Sequence, residues 1–168
     1  MAVNIQVEWK WLKYYIDQET SKSARCIITD NATYDLAMEA QTDNGQFDSD
    51  FCKRKVTEGC GKLKDTLYKF FDGFKVFNGS TEIGTAGDAA LLDADKWQIS
   101  FANFGERRDV NEQLLNSEVS QYLALYVLQE WSKVAQPKME ENYVARIAAE
   151  EIRIKSIIYR KKEPTRPE

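Results

Sequence analysis

The chain has 168 residues, a length that suits one domain built around a single hydrophobic core. Its 23 basic and 27 acidic residues give a formal net charge of −4, which argues against a protein that grips nucleic acid along its whole length. Histidine is absent, so Ser-His-Asp and Cys-His nucleophiles, histidine general bases and zinc sites with histidine ligands are excluded. Aromatic residues reach 12%, a surplus that favours a partner surface.

The three cysteines are Cys26, Cys52 and Cys60, an odd number without a CxxC pair. The first eight residues include an acid and no apolar run typical of a signal peptide, so we expect reduced thiols in a cytoplasmic product. Cys52 and Cys60 lie on one face of a predicted helix and are expected to be small core residues. No apolar run approaches the roughly 20 residues that a membrane span needs. We predict no cofactor, no metal and no membrane partner.

The N-terminal segment changes periodicity at Trp9. Apolar and polar residues alternate strictly from Val3 to Trp9, and from Trp9 to Ile16 the apolar spacing is helical. A short arm followed by a helix is therefore predicted. Two roles stay open for this segment: packing of its helix on a bundle, or addition of the arm as a strand to a neighbouring subunit.

The next segment, 21–47, is polar and broken, and it predicts a loop carrying one short helix near 33–40. Ser49 or Asp50 then caps a longer predicted helix that continues to residue 71. Gly59 and Gly61 each weaken that helix by roughly 1 kcal/mol relative to alanine, or they mark a close helix crossing. Its lysine-rich opposite face is expected to be solvated. Six apolar residues form its helical stripe: Cys52, Val56, Cys60, Leu63, Leu67 and Phe70.

Two segments, 73–77 and 96–102, alternate between apolar and polar residues and are rich in β-formers. We predict that they pair as a two-stranded antiparallel hairpin packed on the helices. Their connection, 78–95, is too long for a tight turn, and loops of this length are usually functional or disordered. Its acidic residues, Asp88, Asp93 and Asp95, are expected to be solvated, because the order of ligands in a calcium-binding loop is missing.

The last third predicts two helices folded back on each other. The first, 111–135, is capped by Asp109 or Asn111, and it is apolar on more than one face between Tyr122 and Leu128. Such a helix lies either at the centre of a bundle or under another subunit. Pro137 ends it and suits the first turn of the second helix, 137–159. The second helix carries one apolar stripe through Tyr143 and Ile154, and a second stripe beside it formed by Val144, Ala148 and Ile152.

The chain closes on a basic, proline-containing tail, 160–168. Cations at a helix C-terminus stabilise it through its dipole, by roughly 0.3–1 kcal/mol each. The alternative function is a docking tail, for which interleaved Glu163 and Glu168 favour a protein surface over a DNA passage. The candidate docking residues are Arg160, Lys161, Lys162, Pro164, Arg166 and Pro167.

The expected fold class is mainly α (α+β): a helical bundle with a C-terminal hairpin of long helices and a small two-stranded antiparallel β-hairpin. One helical domain covers 1–160. Its segments are an arm and first helix (1–20), a loop with a short helix (21–47), a helix (49–71), a β-hairpin with a long loop (73–104) and two helices (111–135 and 137–159); the tail (160–168) follows.

A Trp-bearing apolar helix, a proline turn, an Ala/Glu-rich helix and the ending Ile-Ile-Tyr-Arg-Lys-Lys-x-Pro-x-Arg-Pro occur together in this chain. This order resembles head–tail connector (ring or adaptor) and tail-completion proteins of tailed phages of the Bacteroidetes, including the crAss-like group. The resemblance is strongest over 122–167 and weaker over 49–104. It implies the fold just described and a non-enzymatic virion protein at the head–tail junction, assembled in the host cytoplasm.

The resemblance also implies partners: copies of the chain in a twelvefold ring, the portal protein, other connector or tail proteins, and passive contact with packaged DNA. A ring needs two different patches on each subunit. The candidates are Tyr122, Tyr126 and Trp131 on one side, and Trp9, Trp11, Gly84 and Gly87 on the other. Two alternatives stay open, a tail-completion (terminator) protein and a non-viral α-rich adaptor. An enzyme is not expected, because the pairs Glu140–Glu141 and Glu150–Glu151 are typical of exposed helix charges.

Overall fold

A computed structural model describes residues 2–29, 46–83, 91–105 and 109–161. Within these ranges the chain forms four α-helices and a four-stranded sheet, so the α+β class is confirmed. In chain order the elements are β1 (Val3–Glu8), α1 (Trp9–Thr29), α2 (Gln46–Thr66), β2 (Phe71–Asn78), β3 (Thr81–Ile83), β4 (Lys96–Phe101), α3 (Glu112–Ala135), a 3-10 turn (Pro137–Met139) and α4 (Glu140–Tyr159).

The sheet has four strands, and the prediction of two was wrong. Its order is β1-β4-β2-β3, and every neighbouring pair is antiparallel. The predicted arm is β1, which pairs with β4 of its own chain from Val3↔Phe101 to Glu8↔Lys96. Both strands alternate in the same sense, so their apolar side chains share the face that is buried beneath the helices. The augmentation of a neighbouring subunit is therefore not what this strand does here.

The long predicted loop begins with a tight hairpin. β2 and β3 are joined by Gly79 and Ser80, and Gly79 has a φ of +60°, which glycine adopts without strain. The Gly79 amide donates to a carboxylate oxygen of Asp95 at 2.9 Å. The short β3 has only three residues, too few to show a pattern in the sequence. Gly84 and Gly87 lie outside the described residues.

The first two helices have different bounds from those predicted. α1 continues beyond the predicted end at residue 20 and ends at Thr29. Polar residues in this part do not end the helix, and two of them, Thr20 and Ser23, are buried. α2 begins at Gln46, before the predicted cap at Ser49 or Asp50, and ends at Thr66. A turn follows α2 and keeps Leu67 and Phe70 buried, which is why the apolar stripe appeared to continue to residue 71. The predicted short helix near 33–40 lies outside the described residues.

The C-terminal hairpin matches its prediction closely. Asn111 caps α3 by accepting a hydrogen bond from the Leu114 amide at 3.0 Å. Pro137 opens a 3-10 turn that leads directly into α4, so this helix begins at Glu140 and not at the predicted residue 137. α3 lies at the centre of the molecule and packs against α1, α2, α4 and β1. Of the two possibilities for this apolar helix, a bundle centre and a subunit contact, the structure shows the first.

Candidate interaction surfaces

The aromatic residues of α3 mainly face their own chain. Tyr122 is only 2% exposed, and its burial raises the pKa of its hydroxyl. Its assignment to a subunit interface is corrected, because α3 and its neighbours enclose it in the core. Tyr126 is partly buried against α2, and Trp131 meets Phe51 edge-on at a centroid distance of 5.7 Å. This predicted patch is therefore largely a contact between α2 and α3.

Gly59 marks the closest part of that contact. A Cβ atom at position 59 would lie 3.0 Å from Leu123 Cδ2 and 3.1 Å from Tyr126 Cδ1. The close helix crossing suggested by the sequence is thus confirmed. Gly61 has no such neighbour, since nothing lies within 4 Å of the corresponding Cβ position.

The tryptophans at the start of α1 have different environments. Trp9 meets Trp97 edge-on at 6.4 Å, and the Lys53 ammonium lies 5.4 Å from the centre of its ring. The same Lys53 Nζ donates to the Leu92 carbonyl oxygen at 2.6 Å. Trp9 therefore helps to join α1, α2 and the segment before β4. This internal role leaves Trp11 as the exposed tryptophan of the predicted patch.

The outer face of α1 carries an exposed aromatic pair, Trp11 and Tyr14. Trp11 is 41% exposed and stacks on Tyr15 with a centroid distance of 5.6 Å and an interplanar angle of 10°. Tyr14 is 65% exposed, and its hydroxyl accepts a hydrogen bond from Gln18 Nε2 at 3.1 Å. Large aromatic surfaces of this kind are enriched where proteins meet.

A polar network anchors this aromatic face to the rest of the molecule. Arg146 of α4 donates to Glu19 at 3.0 Å and to the Tyr15 hydroxyl at 2.8 Å, and Gln121 of α3 also donates to that hydroxyl. Burial alone would raise the pKa of Glu19, but hydrogen bonds and charge from Arg146 and Lys22 lower it. Tyr15 therefore links three helices and holds the ring on which Trp11 stacks. No local pattern in the sequence predicts this network, because Gln121 and Arg146 lie more than a hundred residues from Tyr15 in the chain.

A basic surface lies where α2 and α4 end. Lys69, Lys155, Arg160 and Lys161 are exposed, and none of them forms an ion pair with another residue in the described part of the chain. They lie near two exposed tyrosines, Tyr68 and Tyr159, and Lys69 Nζ is 5.7 Å from the centre of the Tyr68 ring. A depression of about 320 Å³ is lined by Thr66, Leu67, Tyr68, Lys69, Phe70, Lys155 and Tyr159.

The candidate docking tail is only partly described. Arg160 and Lys161 lie exposed at the end of α4. Lys162, Pro164, Arg166 and Pro167 lie outside the described residues, as do the two arginines of the linker before α3, Arg107 and Arg108. The sequence did not indicate that Tyr68 belongs to this surface. Tyr68 lay within the predicted helix 49–71, whose exposed face was recognised only for its lysines.

The outer face of α4 is apolar and uncovered within the described residues. Ile152 is 68% exposed, Val144 is nearly half exposed, and Ala145, Ala148 and Ala149 between them are also exposed. This face is the second stripe that the sequence predicted for the helix. Glu141 and Lys155 lie on the same side of the helix at either end of the stripe.

Glu150, on the inner side of α4, corrects the prediction of exposed helix charges. It is 5% exposed and accepts a hydrogen bond from Arg153 Nη1 at 2.7 Å. Burial, followed by hydrogen bonding and charge from Glu118, raises the pKa of Glu150 to about 7. Its second oxygen, Oε2, has no hydrogen-bond partner among the described residues. The raised pKa favours the protonated form of Glu150 at the α3–α4 contact below about pH 7.

Cys52 and Cys60 are free and buried, as the sequence predicted. Burial raises the pKa of the Cys52 thiol to about 12 and that of Cys60 further still, which makes both unreactive as nucleophiles near neutral pH. In the parts of the chain that are described, no three Cys, Asp or Glu side chains are grouped so as to hold a metal ion. Over the same residues, no helix combines the length and the apolar character needed to cross a membrane.

Comparison with known proteins does not indicate a family for this chain. No family model, no curated protein and no solved structure matches this chain.

Proposed function

We propose that the protein is a non-enzymatic subunit of a head–tail connector ring in a tailed phage, linking the portal to the tail around the DNA channel. The proposal begins from the resemblance of the C-terminal sequence to connector proteins. The observation that carries it structurally is the presence of two exposed surfaces with different chemistry. These are the aromatic face of α1, with Trp11 and Tyr14, and the basic end formed around Tyr68, Lys155 and Arg160.

A rotational ring is built from one such pair of unlike surfaces. Each subunit offers one surface to the neighbour ahead and the other to the neighbour behind, and the ring closes when the rotation between them fits. An aromatic face and a cationic, tyrosine-bearing end are complementary, since cations bind over aromatic rings. The resemblance implies twelve subunits, with portal, connector and tail proteins above and below.

Such a protein acts through the shape of its assembly and not through catalysis. The ring seals the DNA passage and presents a platform to the tail, and no substrate is turned over. The helical body suits this role, because α3 is enclosed by α1, α2, α4 and β1. Cations that are not neutralised within the described chain would face either the neighbouring subunit or the packaged DNA.

The first test is electron microscopy of the full chain mixed with the portal protein encoded in the same genome. We expect a closed ring stacked on the portal, with Trp11 and Tyr14 inside the contact between neighbours. A double variant, Trp11→Ser with Tyr14→Ser, should form few rings on the portal or none. Leu114→Ser, which changes an exposed apolar residue on α3 instead, is the matched control and should still assemble.

Three outcomes separate the functions. A ring on the portal that is lost in the double variant supports the proposal. Binding to the end of a tail tube but not to the portal would replace it with a tail-completion role. A compact monomer that binds neither would overturn the virion role and favour an α-rich adaptor.

A further inference from the structure

We propose that the outer face of α4 pairs with α4 of a second copy, in antiparallel orientation, about a two-fold axis at Ala148. The candidate surface is an apolar strip that no described residue covers, on a helix whose other side is anchored. On its inner side α4 is held in the core by Tyr143, Ile147, Ile154 and Ile158, all buried. The outer side is therefore presented as a preformed surface and does not need to fold on binding.

The spacing along this face is that of a helix–helix seam. Positions separated alternately by four and three residues share one side of a helix and repeat as the core positions of a coiled coil. The exposed residues with this spacing are Glu141, Ala145, Ala148, Ile152, Lys155 and Tyr159. Alanines at the middle of the seam allow the two backbones to approach closely.

The face is complementary to itself only in the antiparallel sense. Glu141 and Lys155 lie at equal distances in sequence on either side of Ala148, and so do Val144 and Ile152. An antiparallel pair therefore places each Glu141 opposite Lys155 of the second copy, and each Val144 opposite its Ile152. A parallel pair would oppose Glu141 with Glu141 and Lys155 with Lys155, which costs energy. Neither Glu141 nor Lys155 forms an ion pair within the described chain.

Two further charged residues, Glu151 and Arg153, border the seam. Glu151 lies at one margin of the seam and would face Ala145 of the second copy. Arg153 lies towards the other margin, where it is engaged with Glu150 of its own chain at 2.7 Å. A contact in which the same patch is used twice closes as a dimer.

This inference does not rest on the proposed ring, because it is argued from the face of α4 alone. The seam leaves Trp11 and Tyr14 free but shares Lys155 and Tyr159 with the basic end, so the α4 pair would hold subunits together before they meet the portal and would separate when that end joins the ring. Failure of one proposal is distinguishable from failure of the other, because the ring is tested with portal protein and the seam with the chain alone.

The experiment measures molar mass by sedimentation across a range of concentrations. The parent chain should pass from monomer to dimer. Glu141→Lys and Lys155→Glu should each weaken the dimer by roughly tenfold, because each replaces two attractive pairs by two repulsive ones. A mixture of the two variants should recover parent-like affinity, since their heterodimer restores both opposite-charge pairs.

Ile152→Glu should weaken the dimer by more than about a hundredfold. The two-fold axis repeats the contact between Ile152 and Val144, so the change removes two apolar contacts and places a carboxylate against Val144 in both. Circular dichroism should show parent-like helix in all these variants, since the changed side chains are exposed. A parent chain that stays monomeric at millimolar concentration would overturn the proposal. So would a dimer that ignores the charge changes, because its contact would then lie elsewhere.

Cysteine cross-linking locates the axis independently. Ala148→Cys should form a covalent dimer under mild oxidation, because position 148 faces its own copy across the axis. Ala145→Cys is the matched control and should cross-link much more slowly, since it faces Glu151. The parent chain, oxidised in the same way, measures any cross-linking through the native cysteines. Equal rates for the two variants would refute the two-fold axis at Ala148.

Discussion

The two helices of the C-terminal hairpin, α3 and α4, differ in how their apolar surface is covered. α3 is apolar on more than one face, and elements of its own chain surround it on several sides. α4 is less apolar, yet it leaves Val144 and Ile152 in contact with solvent. The more hydrophobic helix is therefore enclosed along its middle, with Leu114 and Val134 exposed near its two ends. The less hydrophobic helix leaves a continuous apolar face uncovered by the described residues.

This difference teaches that a helix's hydrophobicity does not indicate what covers it. The decisive quantity is the number of elements that the topology brings to each face. α3 receives α1 and β1 from the N-terminal part of the chain and α2 and α4 besides. α4 packs mainly on α3, so only its inner stripe is used within the described chain.

The sharpest test of the comparison uses two isoleucines of α4. Ile154 is fully buried and Ile152 is 68% exposed, so the same change to alanine probes the two sides of one helix. Ile154→Ala should lower the free energy of unfolding by about 2–5 kcal/mol through lost burial and a cavity. Ile152→Ala should change it by less than about 0.5 kcal/mol. Urea unfolding at a concentration where the chain is monomeric measures both, and similar losses would show that the outer face is covered after all.

A second test probes the covered side of α3 from its partner, α2. Gly59→Ala places a methyl group about 3 Å from Leu123 and Tyr126, where overpacking costs about 1–3 kcal/mol and outweighs the gain in helix propensity. Gly61→Ala is the matched control: it meets nothing within 4 Å and should gain up to about 1 kcal/mol. Thermal unfolding of the two variants compares them directly. A Gly59→Ala variant as stable as Gly61→Ala would mean that the crossing is looser than described.

A third test addresses the polar residue between the two helices. The pKa of Glu150 is raised on folding from its ordinary value of 4.5 to about 7, so the folded chain holds this proton more tightly than the unfolded chain does. The contribution of Glu150 to stability is full below about pH 4.5 and is lost as the pH rises through about 7. Glu150→Gln should remove that loss and make the variant more stable than the parent at pH 8, by about 1–2 kcal/mol.

Urea unfolding at a series of pH values measures the Glu150 effect. Glu151→Gln on the neighbouring, more exposed position is the control and should keep the parent's pH dependence. An unchanged pH dependence in Glu150→Gln would show that Glu150 is not the group whose pKa is raised on folding.

The smallest expected effect concerns how the two helices begin. α3 has a side-chain cap from Asn111, whereas α4 follows a 3-10 turn and has no side-chain cap. Asn111→Ala should therefore cost about 1 kcal/mol of stability. Asn142→Ala, an exposed change in the first turn of α4, should cost nothing measurable or give a slight gain. Equal costs for the two variants would contradict the assigned cap.

Local signals predicted the C-terminal hairpin well. Asn111 and Pro137 place the ends of α3 within a residue of those observed, because capping and the missing proline amide act over a single turn, whereas α4 begins three residues after its predicted start. The alternation in β2 and β4 also predicted strands that pair antiparallel. Where a short stretch of chain decides the outcome, sequence reasoning was sufficient.

Non-local effects account for what the sequence did not predict. Nothing near Val3 indicates that its strand pairs with β4, and nothing near Glu150 indicates that Glu118 and α3 will bury it. Tyr122 was assigned to an interface because tyrosine is common at interfaces. Only the packing around α3 shows that this tyrosine belongs to the core. The exposed pair Trp11 and Tyr14 and the face of α4 likewise depend on what the fold leaves uncovered. The assembly that these surfaces serve stays a prediction.

The pairing of β1 with β4 has a consequence for how the chain is made. During translation β1 emerges well before β4, because the residues that it pairs with lie roughly ninety to a hundred positions later in the chain. Until β4 has left the ribosome, the apolar side of β1 has no strand to complete its sheet, and α3 emerges later still. Sheets closed by such distant contacts form slowly, and unfinished ones aggregate. We therefore expect the nascent chain to engage chaperones until α3 covers the sheet, and production of soluble protein to depend on their supply.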